Sequence, residues 1–354
     1  MIRRMLSTAL PLLGLGGVAA HAQTQSNVIL YGVVDAGVEY ATHLPAGNHS
    51  ALRLQDSNAA GSRWGLRGVE NLGNGYHGIF VLESGFSLDT GVAAQGGRLF
   101  GRQAFVGLGT KNSQILFGRQ YSVNFAYALI FDPMLLAPRY SIASNDNPGG
   151  PGTRYDNSVK YTGNYGPVYT EITYSFGVDG TSGLNGEVPG NSKVGREYGA
   201  LLSYSGNNFD LGAIYEEIAG STVATVDDKT RRASAAGSLT FGPAKAFVGY
   251  RYLSTVRGPV TSRADLYWAG AKWKIYPAFT LAAAAYYTNS RASGADPWMF
   301  TVAGTYAFSK RTSLYAAGAY ARNKEGSNLG VGGYGTVMPG ENQLGVVLAI
   351  RHNF

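Results

Sequence analysis

The chain has no cysteine in its 354 residues, so disulfide staples and thiolate chemistry are both absent. Histidine is almost as scarce: the 5 are His21, His43, His49, His77 and His352. None sits beside a serine and an acid at a triad-like spacing, and no His/Cys pattern matches a metal site. No enzyme, metal or cofactor is therefore expected. Charged residues make up only 14%. No apolar run reaches the length of a spanning helix, which excludes a helical membrane protein. No Pro/Ser-rich linker or composition shift divides the chain after its first residues, so one large domain is expected over 23–354.

What is present points outward from the cell. Arg3 and Arg4 precede an apolar, Gly-rich stretch from Met5 to Ala20, and Ala20-His21-Ala22 fits a small-x-small cleavage pattern. Residues 1–22 read as a secretory signal. The formal net charge of +7 falls to +5 when Arg3 and Arg4 leave with it. A basic balance can indicate nucleic acid, but export argues against that partner, and a pathway favouring anions is the better physical account. Gly (50) and Tyr (24) are abundant without a collagen period, which suits many strands and turns.

The last residues carry the clearest pattern. Leu344, Val346, Leu348 and Ile350 alternate with Gly345, Val347, Ala349 and Arg351, and the chain stops on Phe354. Period two carried to a terminal aromatic suits a transmembrane strand ending in an interfacial girdle. The same rhythm recurs throughout. Segments of about ten residues are separated alternately by short and long connectors. Short ones include 71–75, 110–112, 164–167, 206–208, 242–244, 276–278 and 309–311; long ones lie near 41–61, 87–97, 122–156, 178–196, 219–229, 256–264, 290–296 and 323–340. The expected fold is an all-β, antiparallel transmembrane barrel of about 16 strands, its short turns periplasmic and its long loops external.

Parity assigns the two faces. Val28, Leu30, Val34, Val38 and Tyr40 would meet lipid, leaving Asp35 and Glu39 for the lumen. Tyr267, Ala269, Ala271 and Trp273 would likewise face out, which turns Lys272 and Lys274 inward. A charge on the lipid face at mid-membrane costs about 2–4 kcal/mol, so inward is the default. Arg63 and Arg67 share one parity, as do Arg98 and Arg102, while Arg119 ends the segment before the longest connector. Neighbouring strands could bring Arg63, Arg67, Arg102 and Arg119 to one patch of inner wall, and such ladders set ionic selectivity. The connector 122–156 begins with the apolar Phe125, Tyr127, Leu129 and Phe131. Such residues need a wall to pack on, and the dry wall available is the inside of the pore. Asp132 in this connector is the expected acidic counterpart of the arginines.

Several segments together resemble the general diffusion porins of Gram-negative outer membranes, particularly those of β-proteobacteria. They are Leu30-Tyr31-Gly32-Val33-Val34-Asp35, Ser62-Arg63-Trp64-Gly65-Leu66-Arg67-Gly68, Arg102-Gln103-Ala104-Phe105, Phe117-Gly118-Arg119-Gln120-Tyr121, Arg154-Tyr155-Asp156-Asn157 and the ending Arg351-His352-Asn353-Phe354. The resemblance spans the chain. It implies a homotrimer of 16-stranded barrels in the outer membrane, the third external loop folded into the lumen, and passive passage of ions and small hydrophilic solutes. It also implies contact with outer-membrane lipid and lipopolysaccharide, and reading of Phe354 by the outer-membrane assembly machinery. Arg63 and Arg119 fall on the family's wall arginines, Arg67 on a nearby basic position and Asp132 on the loop acid. The family's Pro-Glu-Phe-Gly segment is missing; Leu136-Ala137-Pro138-Arg139 stands there, which makes Arg139 a further constriction cation. Arg154, or alternatively Asp156, falls on a third wall position. Arg251, Lys272 and Lys274 line the lumen in this reading. A substrate-specific channel for phosphate-like anions or sugars is the alternative function.

Overall fold

The computed structural model describes residues 27–135, 137–141, 153–180, 186–291 and 293–354. The expected signal over 1–22 and the Asn145–Gly152 stretch lie outside these residues. Strand β1 (Asn27–Leu44) turns at 45–48 into β2 (His49–Asp56), and the chain re-enters the sheet as β3 (Arg63–Gly73). Next come β4 (Tyr76–Gly85), β5 (Gln103–Gly109), β6 (Ser113–Tyr121), β7 (Arg154–Tyr165), β8 (Val168–Ser175) and β9 (Glu197–Ser205). The second half holds β10 (Phe209–Ala219), β11 (Lys229–Phe241), β12 (Ala244–Arg257), β13 (Val260–Tyr276) and β14 (Phe279–Ser290). The wall is completed by β15 (Trp298–Ala307), β16 (Thr312–Arg322) and, after the small pair β17 (Leu329–Gly330) and β18 (Gly333–Tyr334), by β19 (Gln343–Asn353). Helical residues among those described sit in connectors: a turn α1 (Ala94–Gly97), the helix α2 (Val123–Phe131) and a 3-10 turn at Val223–Thr225.

The main sheet contains 17 strands. Strands β2 and β3 both pair with the same side of β1 and share one place in the wall, so the barrel has 16 strand positions. All pairings are antiparallel, and β19 pairs with both β16 and β1. Closure leaves no open edge, the condition for a sheet in hydrocarbon. Two connectors are shorter than their sequence suggested. The stretch 41–61 is largely the β1–β2 hairpin, and 256–264 reduces to a turn at Gly258-Pro259 between β12 and β13. At 256–264 polar residues keep extended pairing where alternation of hydrophobicity no longer marks a strand, whereas in β2 the exposed Leu52 and Leu54 alternate with Arg53 and Gln55 in a short strand that pairs back on β1.

The outer parity is apolar and exposed, with Leu348 at 58% and Ile350 at 52%. Tyr250, Tyr267, Tyr287, Trp298 and Phe300 form a continuous row of ring contacts with centroids 4.6–6.2 Å apart, as an interfacial girdle requires. The seam joins the two ends of the described chain, from Val33↔Asn353 to Ala41↔Gly345. Beyond it, Phe354 N–H donates to Gly32 O at 3.1 Å and Gly32 N–H to Phe354 O at 3.0 Å. A Cβ on Gly32 would fall 2.2 Å from the Phe354 ring. Glycine at 32 is what lets the terminal ring lie on the barrel wall.

The buried apolar core lies on the other parity. Ser122 caps α2, its hydroxyl accepting from Phe125 N–H at 3.1 Å. The helix packs against β8 to β12, and its Tyr127 and Phe131 join Leu201, Ile214, Trp268 and Tyr286 in one cluster. Two glycines make room for it. A Cβ on Gly199 would stand 2.8 Å from Val123, and one on Gly212 2.3 Å from Phe131. Trp268 Nε1–H donates to Phe131 O at 3.0 Å. Burial of rings such as Phe131 stabilises the attachment by about 1.5–3 kcal/mol each.

Candidate functional site

The arginines of the β3–β7 wall gather around two carboxylates. Arg63 and Arg67 face the same way as Val33 and Ile29, their register partners on β1. Arg63 Nε lies 3.4 Å from Glu83 Oε2, and Arg102 Nε donates to Glu83 Oε1 at 2.8 Å. The Tyr121 hydroxyl accepts from Arg102 at 2.8 Å and donates to Glu83 at 3.1 Å. Tyr31 adds a fourth donor to Glu83 at 3.1 Å. Arg154 lies 4.8 Å from the Tyr121 ring centroid and 5.7 Å from that of Phe125, at the start of α2. Arg67 rests 5.2 Å from the Tyr31 ring.

Asp156 is the second hub. Arg98 Nη1 donates to it at 2.8 Å, Arg119 Nη1 at 2.7 Å and Gly180 N–H at 2.6 Å. Strict alternation would put Arg119 with Ile115 and Phe117, which are exposed. A register shift between Gly118 and Gln120 breaks the alternation, with Gly118 at φ +132°. A bulge of this kind re-aims a side chain, and Arg119 reaches Asp156 and the Gly101 carbonyl (2.8 Å). Four guanidiniums thus meet two buried carboxylates, Arg154 adds a fifth over the Tyr121 ring, and the half-exposed Asp179 lies 3.9 Å from Arg98. Opposite charges offset one another only in part, and the patch keeps a positive excess.

Asp132 does not stand against these arginines. It is fully buried at the C-cap of α2, and its described partners are Tyr286 (a very short contact), Ser141 at 2.7 Å and Met134 N–H at 3.1 Å. The reason is local. A carboxylate at a helix C-terminus meets the negative end of the macrodipole and needs dedicated donors, which β14 and the connector supply. The acids that meet the arginines come from the wall itself, Glu83 on β4 and Asp156 on β7.

Asp35 and Glu39 lie on the inner parity as expected, but both are fully buried rather than open to the lumen. Asp35 accepts from Asn58, Ala59 and Ala60 N–H at 3.1, 3.3 and 3.1 Å and from Tyr315 at 2.6 Å. Glu39 accepts from Arg53 at 2.8 Å and Tyr140 at 3.2 Å and lies 3.3 Å from Arg139. Arg139 also donates to Gln55 in a very short contact. It is therefore paired to the β1–β2 hairpin. Burial holds its guanidinium below the usual pKa, with Glu39 opposing and Arg53 reinforcing that shift. Arg251 is buried under α2, where Nη1 lies 3.4 Å from Asn124 Oδ1. Lys272 is half-buried and Lys274 exposed, both on the inner parity of β13. Sequence reasoning missed Glu83, Arg53 and the pairing of Arg98; the one available signal was an acid on the inner parity of β4.

A family model described as Gram-negative porin matches residues 8–326. An outer membrane porin protein of Bordetella pertussis is 30% identical over 89% of this chain and 93% of its own length. The chain belongs to the Gram-negative porin family. Outer membrane porin protein 32 of Delftia acidovorans is also 30% identical, over 98% of each chain. In fold, this porin is similar to an anion-selective porin from Comamonas acidovorans, with a TM-score of 0.79 at 24% identity, covering 93% of this chain and 100% of that one. OmpT of Vibrio cholerae gives a TM-score of 0.67 at 15% identity over 95% and 100%. The porin is an outer-membrane channel that passes solutes passively and is not an enzyme.

Proposed function

We propose that this porin is a general diffusion channel that prefers anions and works as a homotrimer, with the segment from Ser122 to Ser141 narrowing a water-filled lumen. The observation that carries the anion preference is the excess of guanidiniums over carboxylates at Arg63, Arg98, Arg102, Arg119 and Arg154. Arg53 and Arg139 repeat it around Glu39. The mechanism is sieving plus field. A small anion passing the patch exchanges part of its hydration for guanidinium donors, a cation is repelled, and an apolar solute cannot displace water held by so many charges. The field comes from this one-sided collar and not from an acid–base pair across the pore. The similarity to an anion-selective porin from Comamonas acidovorans supports the same reading. A solved structure of similar fold, a trimer form of Vibrio cholerae OmpT, adds to the trimer reading.

Single-channel conductance of the purified protein in bilayers tests this directly. Replacing KCl by potassium acetate is expected to lower conductance strongly, because acetate is the slower anion, whereas replacing KCl by LiCl changes it little. The opposite ranking contradicts anion preference.

Residues 1–22 act as the removed secretory signal in this proposal, and Phe354 is the residue read by the assembly machinery. Lipopolysaccharide surrounds the exposed outer parity. Deleting Phe354 removes the last pair of seam hydrogen bonds and the ring over Gly32. Assembled yield is expected to drop by about tenfold, a seam cost on the order of 1.4 kcal/mol, while barrels that do assemble conduct as wild type. Equal yields on unheated gels would reduce the ring to an interface anchor.

A further inference from the structure

We propose that Lys272, together with Lys245, forms a second anion-binding step on the periplasmic side of the inward segment, taking small oxyanions such as phosphate and carboxylates. The proposal rests on the anion-preferring reading above. Its first support is position. Pro133 follows the Asp132 cap, and a Cβ on Gly270 would stand 2.5 Å from it. Lys272 lies two residues further along the same inner parity toward the turn at 277–278. An ion leaving the underside of the segment therefore meets Lys272 first, on the β10–β14 side and away from the arginine wall of β3–β7.

The second support is an unbalanced charge. Lys245 and Lys272 are direct register partners across β12 and β13, and like charges in that relation destabilise a sheet. Their ammonium groups lie 5.3 and 5.2 Å from the centroid of the Phe247 ring. Lys245 is compensated, since it donates to Asp210 at 2.8 Å, a carboxylate also bonded by Ser238 at 2.9 Å. Lys272 donates no hydrogen bond to a described residue, and the Asp132 carboxylate above it is already engaged by Tyr286 and Ser141. Lys274, exposed, continues the same face. Lys245 is thus neutralised by direct contact with Asp210, whereas Lys272 is opposed only through space by the engaged Asp132 carboxylate. An oxyanion between Lys272 and Lys245 would satisfy the unused donors and screen the repulsion, which a monovalent cation cannot do.

The test is block of chloride current by inorganic phosphate in planar bilayers, using wild type, Lys272→Gln, Lys245→Gln and Lys272→Arg. Phosphate is expected to reduce wild-type current in a saturable way. The half-blocking concentration should rise by about fivefold in Lys272→Gln, as expected for loss of one partly solvated charge-assisted contact. A smaller rise is expected in Lys245→Gln, and Lys272→Arg should stay near wild type. Wild-type half-blocking concentrations in both glutamine variants, or no phosphate block of wild type, overturn the proposal. A wild-type channel that prefers cations overturns the anion reading and the proposal together, so the two failures are distinguishable from the sign of the wild-type preference.

Discussion

Arg63→Gln combined with Arg67→Gln lowers the anion-to-cation permeability ratio by about tenfold, the largest functional effect expected of any pair in this channel. A unit charge about 4 Å from a permeating ion is worth on the order of 1 kcal/mol in water, or roughly a factor of 5 in relative occupancy. Two such charges multiply, and salt screening trims the product. These two positions isolate selectivity from folding. Arg63 is a quarter exposed and contributes the longest of the contacts to Glu83, which keeps Arg102, Tyr121 and Tyr31. Arg67 rests on the Tyr31 ring. Reversal potentials of the double variant, measured beside wild type, check the result. An unchanged ratio in a channel of normal conductance would remove both residues from the ion path. Arg102→Gln is a different case, because Arg102 is 7% exposed and bridges Glu83 to Tyr121; its loss destabilises the wall before it reports on ions.

Asp35→Ala is expected to have the largest effect on stability. One buried carboxylate holds three successive backbone N–H groups of the segment between β2 and β3 and the Tyr315 hydroxyl of β16. Alanine leaves those donors without it. Each hydrogen bond to a charged group is worth about 1.5–3 kcal/mol, and buried donors left unpaired cost a similar amount. A total of about 3–5 kcal/mol is expected, because several buried donors lose their acceptor at once. The folded band on unheated gels should melt at a markedly lower temperature than wild type, and the 57–62 segment should become protease-sensitive. Asp35→Asn, which keeps one acceptor oxygen, should fall between. Wild-type melting of the alanine variant would show that the segment is held by its strand neighbours alone.

Much of the barrel is legible in the sequence because one physical rule governs it. Lipid outside and water inside force a period of two, so the parity of Leu344 to Ile350, of Val28 to Tyr40 and of Tyr267 to Trp273 assigns both faces. The rule fails where backbone geometry departs from the ladder. The Gly118 shift carries Arg119 to Asp156, although its parity matches exposed neighbours. It fails again where strands continue beyond the membrane, as at Gly258-Pro259.

Charge pairing is less legible than placement. Alternation turns Asp35, Glu39 and Glu83 inward but does not distinguish an acid facing water from one locked by guanidiniums or backbone N–H groups. That distinction depends on residues far apart in sequence, such as Tyr315 for Asp35 and Arg139 for Glu39. The same holds for Asp132, which sequence places opposite the arginines and the structure places among Tyr286 and Ser141. Its position after an apolar helix was visible, but the donors that bury it sit on β14 and at Ser141. The arginines were easier, because a guanidinium on a strand in hydrocarbon has one affordable direction.

The zero-current potential of the wild-type channel across a tenfold KCl gradient tests the central claim most directly. An excess of guanidiniums over carboxylates at the wall predicts a potential of the sign set by chloride, diminishing as salt rises and screening shortens the reach of the field. A potential of the opposite sign, set by potassium, would contradict the account.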